Sequence, residues 1–301
     1  MDSALVDQVR RFNRTVTQRV GALDDAFLSR DRPLGQARLL WEIGPEECEV
    51  RALRSRLDLD SGYLSRLLRA LQADGLVVVD TDDVDGRVRK ARLTPAGLAE
   101  RAELNRRSDD LAASILGSLT GHQRDRLVEA MAVVERLLVA SMVRIGIVEA
   151  RHPDARQCVR AYFADLARRF DGGFDPARSL PADEEELTLP AGLLLVATLH
   201  SDPVGCCGLR LHRDGYAEVK RMWVSPTVRG LGLGRRLLAE LEVRATAHGV
   251  RTLRLETNKT LTEAVGLYRS TGYREVAPFN DEPYAHHWFE KTLVPADAAA
   301  G

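Results

Sequence analysis

The sequence predicts two domains: a mainly α unit that carries one β-hairpin, then an α/β unit with a mixed, mostly antiparallel sheet and flanking helices. Three observations predict this. Apolar residues recur at helical spacing through most of residues 1–142, broken by a single hairpin pattern. Three successive strand patterns joined by tight turns then fill residues 192–224. Directly after them stands Val228-Arg229-Gly230-Leu231-Gly232-Leu233-Gly234-Arg235-Arg236, closely spaced glycines between a strand and a long amphipathic helix pattern. A length of 301 residues suits two domains, expected at 1–142 and 145–295, and 45% hydrophobic residues are enough for packed cores.

Composition narrows the function classes. No apolar run approaches the length needed to cross a bilayer and no charged-then-apolar leader opens the chain, so a cytoplasmic protein without membrane contact is expected. Cys48, Cys158, Cys206 and Cys207 lack metal-ligand spacing, so free thiols and no metal site are expected. A net charge of −1 supplies no global basic field; nucleic-acid binding has to come from a local arginine cluster.

The elements follow in order. Val6, Val9, Phe12, Val16, Val20 and Leu23 mark a long opening helix with a sticky face that needs a partner. Residues 34–43 read as a second helix stopped by Gly44-Pro45, residues 45–57 as a third, and residues 62–72 as a fourth, capped by Asp60 or Ser61 and closed at Asp74-Gly75. A hairpin follows: strand 76–79, an acidic turn 80–86, strand 87–93. Helical patterns at 95–117 and 120–142 complete the half. Helix, short helix, helix and hairpin in this order make a winged helix-turn-helix.

Leu57-x-Leu59-Asp60-x-Gly62-Tyr63-x-Ser65-Arg66, then Asp74-Gly75-Leu76, Asp85-Gly86-Arg87 and Leu93-Thr94-Pro95-x-Gly97 stand in an order that resembles the MarR family of transcription regulators over residues 3–142. The resemblance implies a homodimer formed by the terminal helices and a double-stranded DNA operator. It also implies groove contacts from Ser61, Tyr63, Ser65, Arg66 and Arg69 and wing contacts from Arg87, Arg89 and Lys90. Arginine can pair with guanine through two bonds, and serine or tyrosine can bind phosphate. The plainer reading leaves Arg66 and Arg69 as a solvated helix face. Asp80, Asp82, Asp83 and Asp85 crowd the wing with charge that repels phosphate, so sharp salt dependence is expected.

In the second half, residues 145–149 read as a strand, 153–170 as a helix, 171–186 as a polar, acidic loop, and 192–199, 203–211 and 216–224 as a meander. The glycine loop follows. Glycines let backbone N–H groups approach an anion, and the helix beginning there adds its positive dipole end. The loop lacks the lysine of a Walker motif, and its spacing differs from that of a dinucleotide fingerprint, which should open a parallel βαβ unit with an acidic residue about 20 positions on. Residues 253–258 read as a strand, 261–270 as a helix with Tyr268, Gly272-Tyr273 as a turn, and 279–291 as a closing strand. Arg229-Gly230-x-Gly232-x-Gly234 after a strand, with this tail behind it, resembles the acetyl-CoA loop of the GNAT acetyltransferase superfamily.

The resemblance implies acetyl-CoA as cofactor. Arg229, Gly230, Leu231, Gly232, Leu233, Gly234 and Arg235 would hold its diphosphate, the strand Met222-Trp223-Val224 its pantetheine arm, and Asn258 would add a polar contact. Simple alternation puts Glu218, Lys220, Met222 and Val224 on one face of their strand and Val219, Arg221 and Trp223 on the other. Glu218 then matches a general base, or holds the acceptor amine, or merely pairs with Lys220. Tyr268 matches the acid that protonates the departing thiolate, the alternative being a core tyrosine. Arg221, Asn280, Tyr284 and His286, with Trp223 as a wall, are candidates for binding an acceptor that carries a carboxylate; a packed strand with solvated histidines is the plainer reading. Together these imply a regulator fused to an N-acetyltransferase for a small amine-bearing metabolite or toxic compound. The rival is a regulator whose second domain senses acetyl-CoA or another ligand with little turnover.

Overall fold

The computed structural model describes residues 2–23, 27–29, 31–81, 88–180 and 182–293. The chain divides into two compact units between Met131 and Ala132, inside its sixth long helix.

The first unit begins with α1 (Ser3–Arg19), whose start is capped by Asp2 accepting from Ala4 N at 2.9 Å. It stops at Arg19, short of the expected Leu23, and buries none of its residues. α2 (Leu34–Ile43) ends where Gly44 turns the chain at φ 70°. The expected third helix is shorter than its pattern. Cys48–Glu49 form β1, and only then does α3 (Val50–Leu57) start, because β1 pairs with the hairpin at Cys48↔Ala91 and makes the wing a three-stranded sheet. A two-residue strand leaves no periodicity to read.

α4 (Ser61–Ala73) is capped by Asp60, which accepts from Tyr63 N at 2.8 Å. Its Leu64, Leu67, Leu68 and Leu71 form one helical stripe, all buried against Leu39, Leu40 and Leu53. That burial leaves Ser61, Tyr63, Arg66 and Arg69 exposed on the opposite side. β2 (Val77–Thr81) and β3 (Arg89–Leu93) are the wing strands. The expected turn begins later than its pattern, since Asp80 and Thr81 belong to β2; residues 82–87, with Asp82, Asp83, Asp85 and Arg87, lie outside the described residues. Thr94 caps α5 (Pro95–Gly117) by accepting from Gly97 N at 3.0 Å, while its hydroxyl donates to Gly75 O at 2.7 Å. Position 97 has to be glycine: a Cβ there would stand 2.0 Å from Leu76 O. α6 (Gly121–Met142), like α1, buries none of its residues within the chain.

The second unit is a seven-stranded sheet in the order β4-β5-β6-β7-β8-β10-β9. Its strands are β4 (Arg144–Val148), β5 (Gly192–Leu199), β6 (Asp202–Leu211), β7 (Tyr216–Val224), β8 (Thr252–Thr257), β9 (Arg274–Val276) and β10 (His287–Thr292). All neighbours are antiparallel except β7 and β8. Alternate residues of β5 separate two cores. Leu193, Leu195 and Ala197 pack with α8 (Leu233–Ala247) and α9 (Thr262–Ser270). Leu194 and Val196 pack with α7 (Pro153–Arg169) on the other face. The expected closing strand 279–291 is real only from His287 onward; the chain before it is irregular, because Glu282 turns inward and holds the loop at Ser179 and Leu180.

Two irregularities shape the middle of this sheet. β7 and β8 pair only from Tyr216↔Thr252 to Glu218↔Arg254 and then part, leaving two facing edges open. On its other side β7 carries a bulge: Cys206 pairs with Trp223 and Gly208 with Lys220, so Arg221 and Met222 oppose the single residue Cys207. Arg221 sits at φ 54°, in the left-handed region. The bulge overturns the alternation expected for this strand. Ala217 and Val219 share the α8 face with Met222 and Val224, whereas Trp223 packs toward α7; Glu218 and Lys220 are therefore on the face opposite to Met222.

Candidate active site

The end of β7, the glycine loop, α7 and α9 enclose a cleft of about 370 Å³. Gly230 and Gly232 take φ 80° and 74°, which a side chain would resist, and no side chain caps the start of α8 at Gly232. The first N–H groups of that helix consequently face the cleft with its positive dipole end. Gly234 lets the helix close in: a Cβ there would lie 3.2 Å from Leu267 and 3.5 Å from Met222. Met222, Trp223, Val224, Arg229, Gly230, Gly232, Leu233, Gly234 and Arg235, all expected at a cofactor, line this one cleft. Leu231 does not line it; its side chain packs on the core instead.

Arginines rim the cleft, and carboxylates hold Arg229 and Arg169. Arg229 donates to Val224 O at 3.2 Å and to Asp165 at 2.7 Å. Asp165, buried on α7, also takes Arg168 and lies 3.8 Å from Arg169. Arg169 donates to Glu263 at 2.6 Å. The Glu263 carboxyl is held below the usual range by its own backbone N–H at the start of α9 and by Arg169. Arg235 is fastened to Ser270 at 2.9 Å. Asp165 and Arg169 carry no sequence signal, since a charged pair near the end of an amphipathic helix reads as a solvated turn.

A smaller cavity of about 80 Å³ adjoins the cleft, and Tyr162, Leu166, Met222, Leu261 and Ala264 line both. Tyr268 on α9 is buried in its wall, and burial holds its hydroxyl far above the ordinary tyrosine range. Tyr162 is pushed up to about 12, also by burial. Asn258 lines this cavity and not the cleft; it donates to Tyr284 O at 2.7 Å and accepts from Thr260 N at 2.9 Å, so it ties two loops together.

Of the residues expected at the acceptor, Arg221 and Tyr284 line the small cavity. Tyr284 accepts from Asp175 N at 3.0 Å and stacks within an aromatic group with Phe170 and Phe174. Asn280 stands behind that wall, donating to Glu256 at 3.3 Å and accepting from Trp288 Nε1 at 2.8 Å. His286 is exposed and lines neither space. Glu218, the expected base, also lines neither. It is buried among Arg210 at 3.8 Å, His212 at 3.5 Å and Lys220 at 3.3 Å. Lys220, on the same face of β7, stands at the cavity wall in its place. The carboxylates that do face the cavity are Glu256 and Glu282, which alternation along β7 gave no means of finding.

In the first unit Arg66 stacks over Tyr63, its guanidinium 5.6 Å from the ring centroid, so both present a joint exposed surface. Ser65 is half-buried, and Arg69 bonds back to Ser65 O at 3.3 Å. Arg89 is exposed on the wing, but Lys90 is drawn to Glu47 at 2.7 Å.

The GNAT acetyltransferase family model matches residues 160–273. The IAA acetyltransferase of Azospirillum brasilense is 40% identical over 118 residues, which cover 38% of this chain and 76% of that protein. The chain belongs to the GNAT acetyltransferase family. Residues 31–88 match the MarR family model, so the GNAT domain is fused to a MarR-type regulator domain. The Mycobacterium tuberculosis transcriptional regulator Rv3488 is 46% identical over 57 residues, 19% of this chain and 53% of that regulator. A GNAT-family acetyltransferase structure from Staphylococcus aureus covers 50% of this chain and 100% of its own at 18% identity and a TM-score of 0.40. The GNAT domain is an acyltransferase fold with its cleft formed, and among the described residues no helix is long and apolar enough to cross a membrane.

Proposed function

We propose that this chain is a DNA-binding transcription regulator and an acetyl-CoA-dependent N-acetyltransferase for a small amine. One observation carries the enzyme reading. The uncapped start of α8, with Gly230 and Gly232 in left-handed geometry, opens on a cleft that meets a cavity walled by Tyr268. The residues fit the cofactor. Backbone amides of residues 230–235 would bind its diphosphate, Arg229 and Arg235 would add charge, and the open edge at Met222 and Val224 would pair with an extended amide-bearing arm. Acetyl-CoA supplies an acetyl group activated as a thioester. Tyr268, kept protonated by burial, is the proton donor available to a leaving sulfur. The cavity beside the cleft would hold the amine next to the thioester, and orientation is most of what direct transfer needs.

The regulator reading rests on the exposed face of α4 and on unpartnered apolar side chains. Leu5, Val9, Phe12 and Val16 of α1, with Leu137, Leu138 and Met142 of α6, are all exposed in the single chain. A homodimer that covers them would present two α4 helices to half-sites about one helical turn apart. The test is calorimetry of the full chain with CoA and acetyl-CoA, then thiol release over an amine panel. Heat with both and CoA release with one amine are expected; no heat with either overturns the reading. Saturable binding with no release by any amine turns the domain into a sensor. Tyr268→Phe is expected to lower turnover while leaving cofactor heat intact.

A further inference from the structure

We propose that the cavity at the bulge takes an amino acid with an apolar side chain as acceptor, its carboxylate on Arg221 and its amine against Glu256. The proposal rests on the acetyl-transfer reading and specifies its substrate class.

Arg221 is the first reason. It adopts φ 54° although it is not glycine, a conformation that surrounding structure has to impose. Its guanidinium is held flat, 4.6 Å from the Phe163 ring centroid and 5.9 Å from that of Tyr162. Its guanidinium donates to a neutral partner, Ala182 O at 3.3 Å, and its Nε is buried with no partner among the described residues. Among the described residues no carboxylate pairs with it, whereas Arg169 and Arg229 at the neighbouring cleft each have one. A planar cation, stacked in place in the wall of a cavity with a donor left over, is suited to the two-bonded grip of a carboxylate.

Glu256 is the second. It projects from β8 beyond the point where β7 leaves it, and its side chain is 10% exposed. One oxygen accepts from Lys220 at 2.5 Å and the other from Asn280 at 3.3 Å. A carboxylate has about four acceptor positions, so capacity for an ammonium remains. Lys220 divides its charge, since Glu218 lies 3.3 Å from it on the far side. Glu282, the other acid of the cavity, is already taken by Ser179 Oγ, Leu180 N and Tyr284 N at 2.9, 2.7 and 3.2 Å. One unmatched cation and one carboxylate with room for another, beside the rings of Phe170, Phe174 and Tyr284, describe the complement of an apolar amino acid.

The chemistry balances with these groups. Glu256 takes one proton from the ammonium and frees its lone pair. In the complete transfer a C–N bond replaces the thioester C–S bond, the second nitrogen proton passes to sulfur, and the proton on Glu256 returns to water. Glu218, walled off by Lys220, takes no part in the proton transfer.

The experiment is calorimetry on the full chain saturated with CoA, titrated with three matched probes: leucine, 3-methylbutylamine, which lacks the carboxylate, and 4-methylpentanoate, which lacks the amine. Phenylalanine with its matched amine and acid forms a second set. The amino acid of at least one set is expected to bind about tenfold or more tightly than both its relatives, the scale of a charge-assisted contact. Arg221→Lys should weaken the amino acid and the acid by about tenfold and spare the amine. Glu256→Gln should weaken the amino acid and the amine and spare the acid. CoA heat in each variant reports that the domain is folded. Amino acids that bind no better than the bare amines, in both sets, overturn the proposal, as does an Arg221→Lys variant that loses amine and acid alike. If CoA itself gives no heat with the unaltered chain, the acetyl-transfer reading is what has failed; if CoA binds and the amino acids do not, only the acceptor assignment falls.

Discussion

Nη2 of Arg229 donates to Oδ2 of Asp165 at 2.7 Å, fastening the arginine that precedes the glycines to a carboxylate buried in α7. The loop and α7 are distant in sequence, yet this bond sets where the charge at the mouth of the cleft stands. Asp165 also gathers Arg168 and lies near Arg169, so one acid organises three cations.

Asp165→Ala should therefore act on both stability and binding. Removing the acid leaves guanidinium groups facing one another, and with Arg229 and Arg168 partly solvated the cost is about 1–3 kcal/mol. Thermal unfolding should show a lower Tm, and calorimetry a CoA affinity several-fold weaker. A variant with unchanged Tm and CoA heat would show that the pair holds nothing in place.

Gly234→Val should close the cleft against cofactor. The added atoms would press on Leu267 and Met222, which already stand 3.2 and 3.5 Å from a Cβ position. CoA binding is expected to fall by at least tenfold on the overpacking cost of about 1–3 kcal/mol. Operator binding by gel shift should be retained, and full CoA affinity in the variant would place the cofactor elsewhere.

Tyr162 predicts an alkaline limit to stability. Burial raises its hydroxyl from 10.0 in the unfolded chain to about 12 in the folded one. Between those values the folded state holds the proton that the unfolded state has lost, so stability falls as pH rises through this window. Below pH 10 its contribution is fully present. Tyr162→Phe should flatten the decline measured by denaturant titration between pH 9.5 and 11 on the scale of about one proton; an unaltered slope would assign the decline to other groups.

On the wing, Glu47→Ala should strengthen DNA binding. Glu47 holds Lys90 at 2.7 Å, neutralising a cation that would otherwise reach phosphate. Its loss should tighten operator binding and steepen the salt dependence by about one charge, whereas Arg66→Ala should weaken binding and make the slope shallower. Fluorescence anisotropy across a salt series separates these; equal slopes in all three proteins would remove Lys90 and Arg66 from the interface.

Local patterns in the chain were enough for the glycine loop, the helix of residues 62–72 and its start at Asp60 or Ser61, because each depends on neighbours within a few positions. They also placed Tyr268 and Arg221 at a cavity. They missed β1, whose two residues become a strand only by pairing with β3 more than 40 positions later. They missed Asp165, Arg169, Glu256 and Glu282, since nothing adjacent to an acid in sequence announces the arginine or cavity it will face in space.

What the amino-acid order settles for this protein is its two-unit plan, the left-handed glycine geometry of the loop from Arg229 to Gly234, and the exposed face of α4, all products of short-range backbone and side-chain preference. The folded sheet settles the rest. A single extra residue at Arg221 turns Met222 and Val224 to the face opposite Glu218 and Lys220, and Lys220 and Glu256, not Glu218, stand in the cavity wall. A bulge arises from how β6 and β7 align across the sheet, an arrangement between strands that a period of two along either one does not contain.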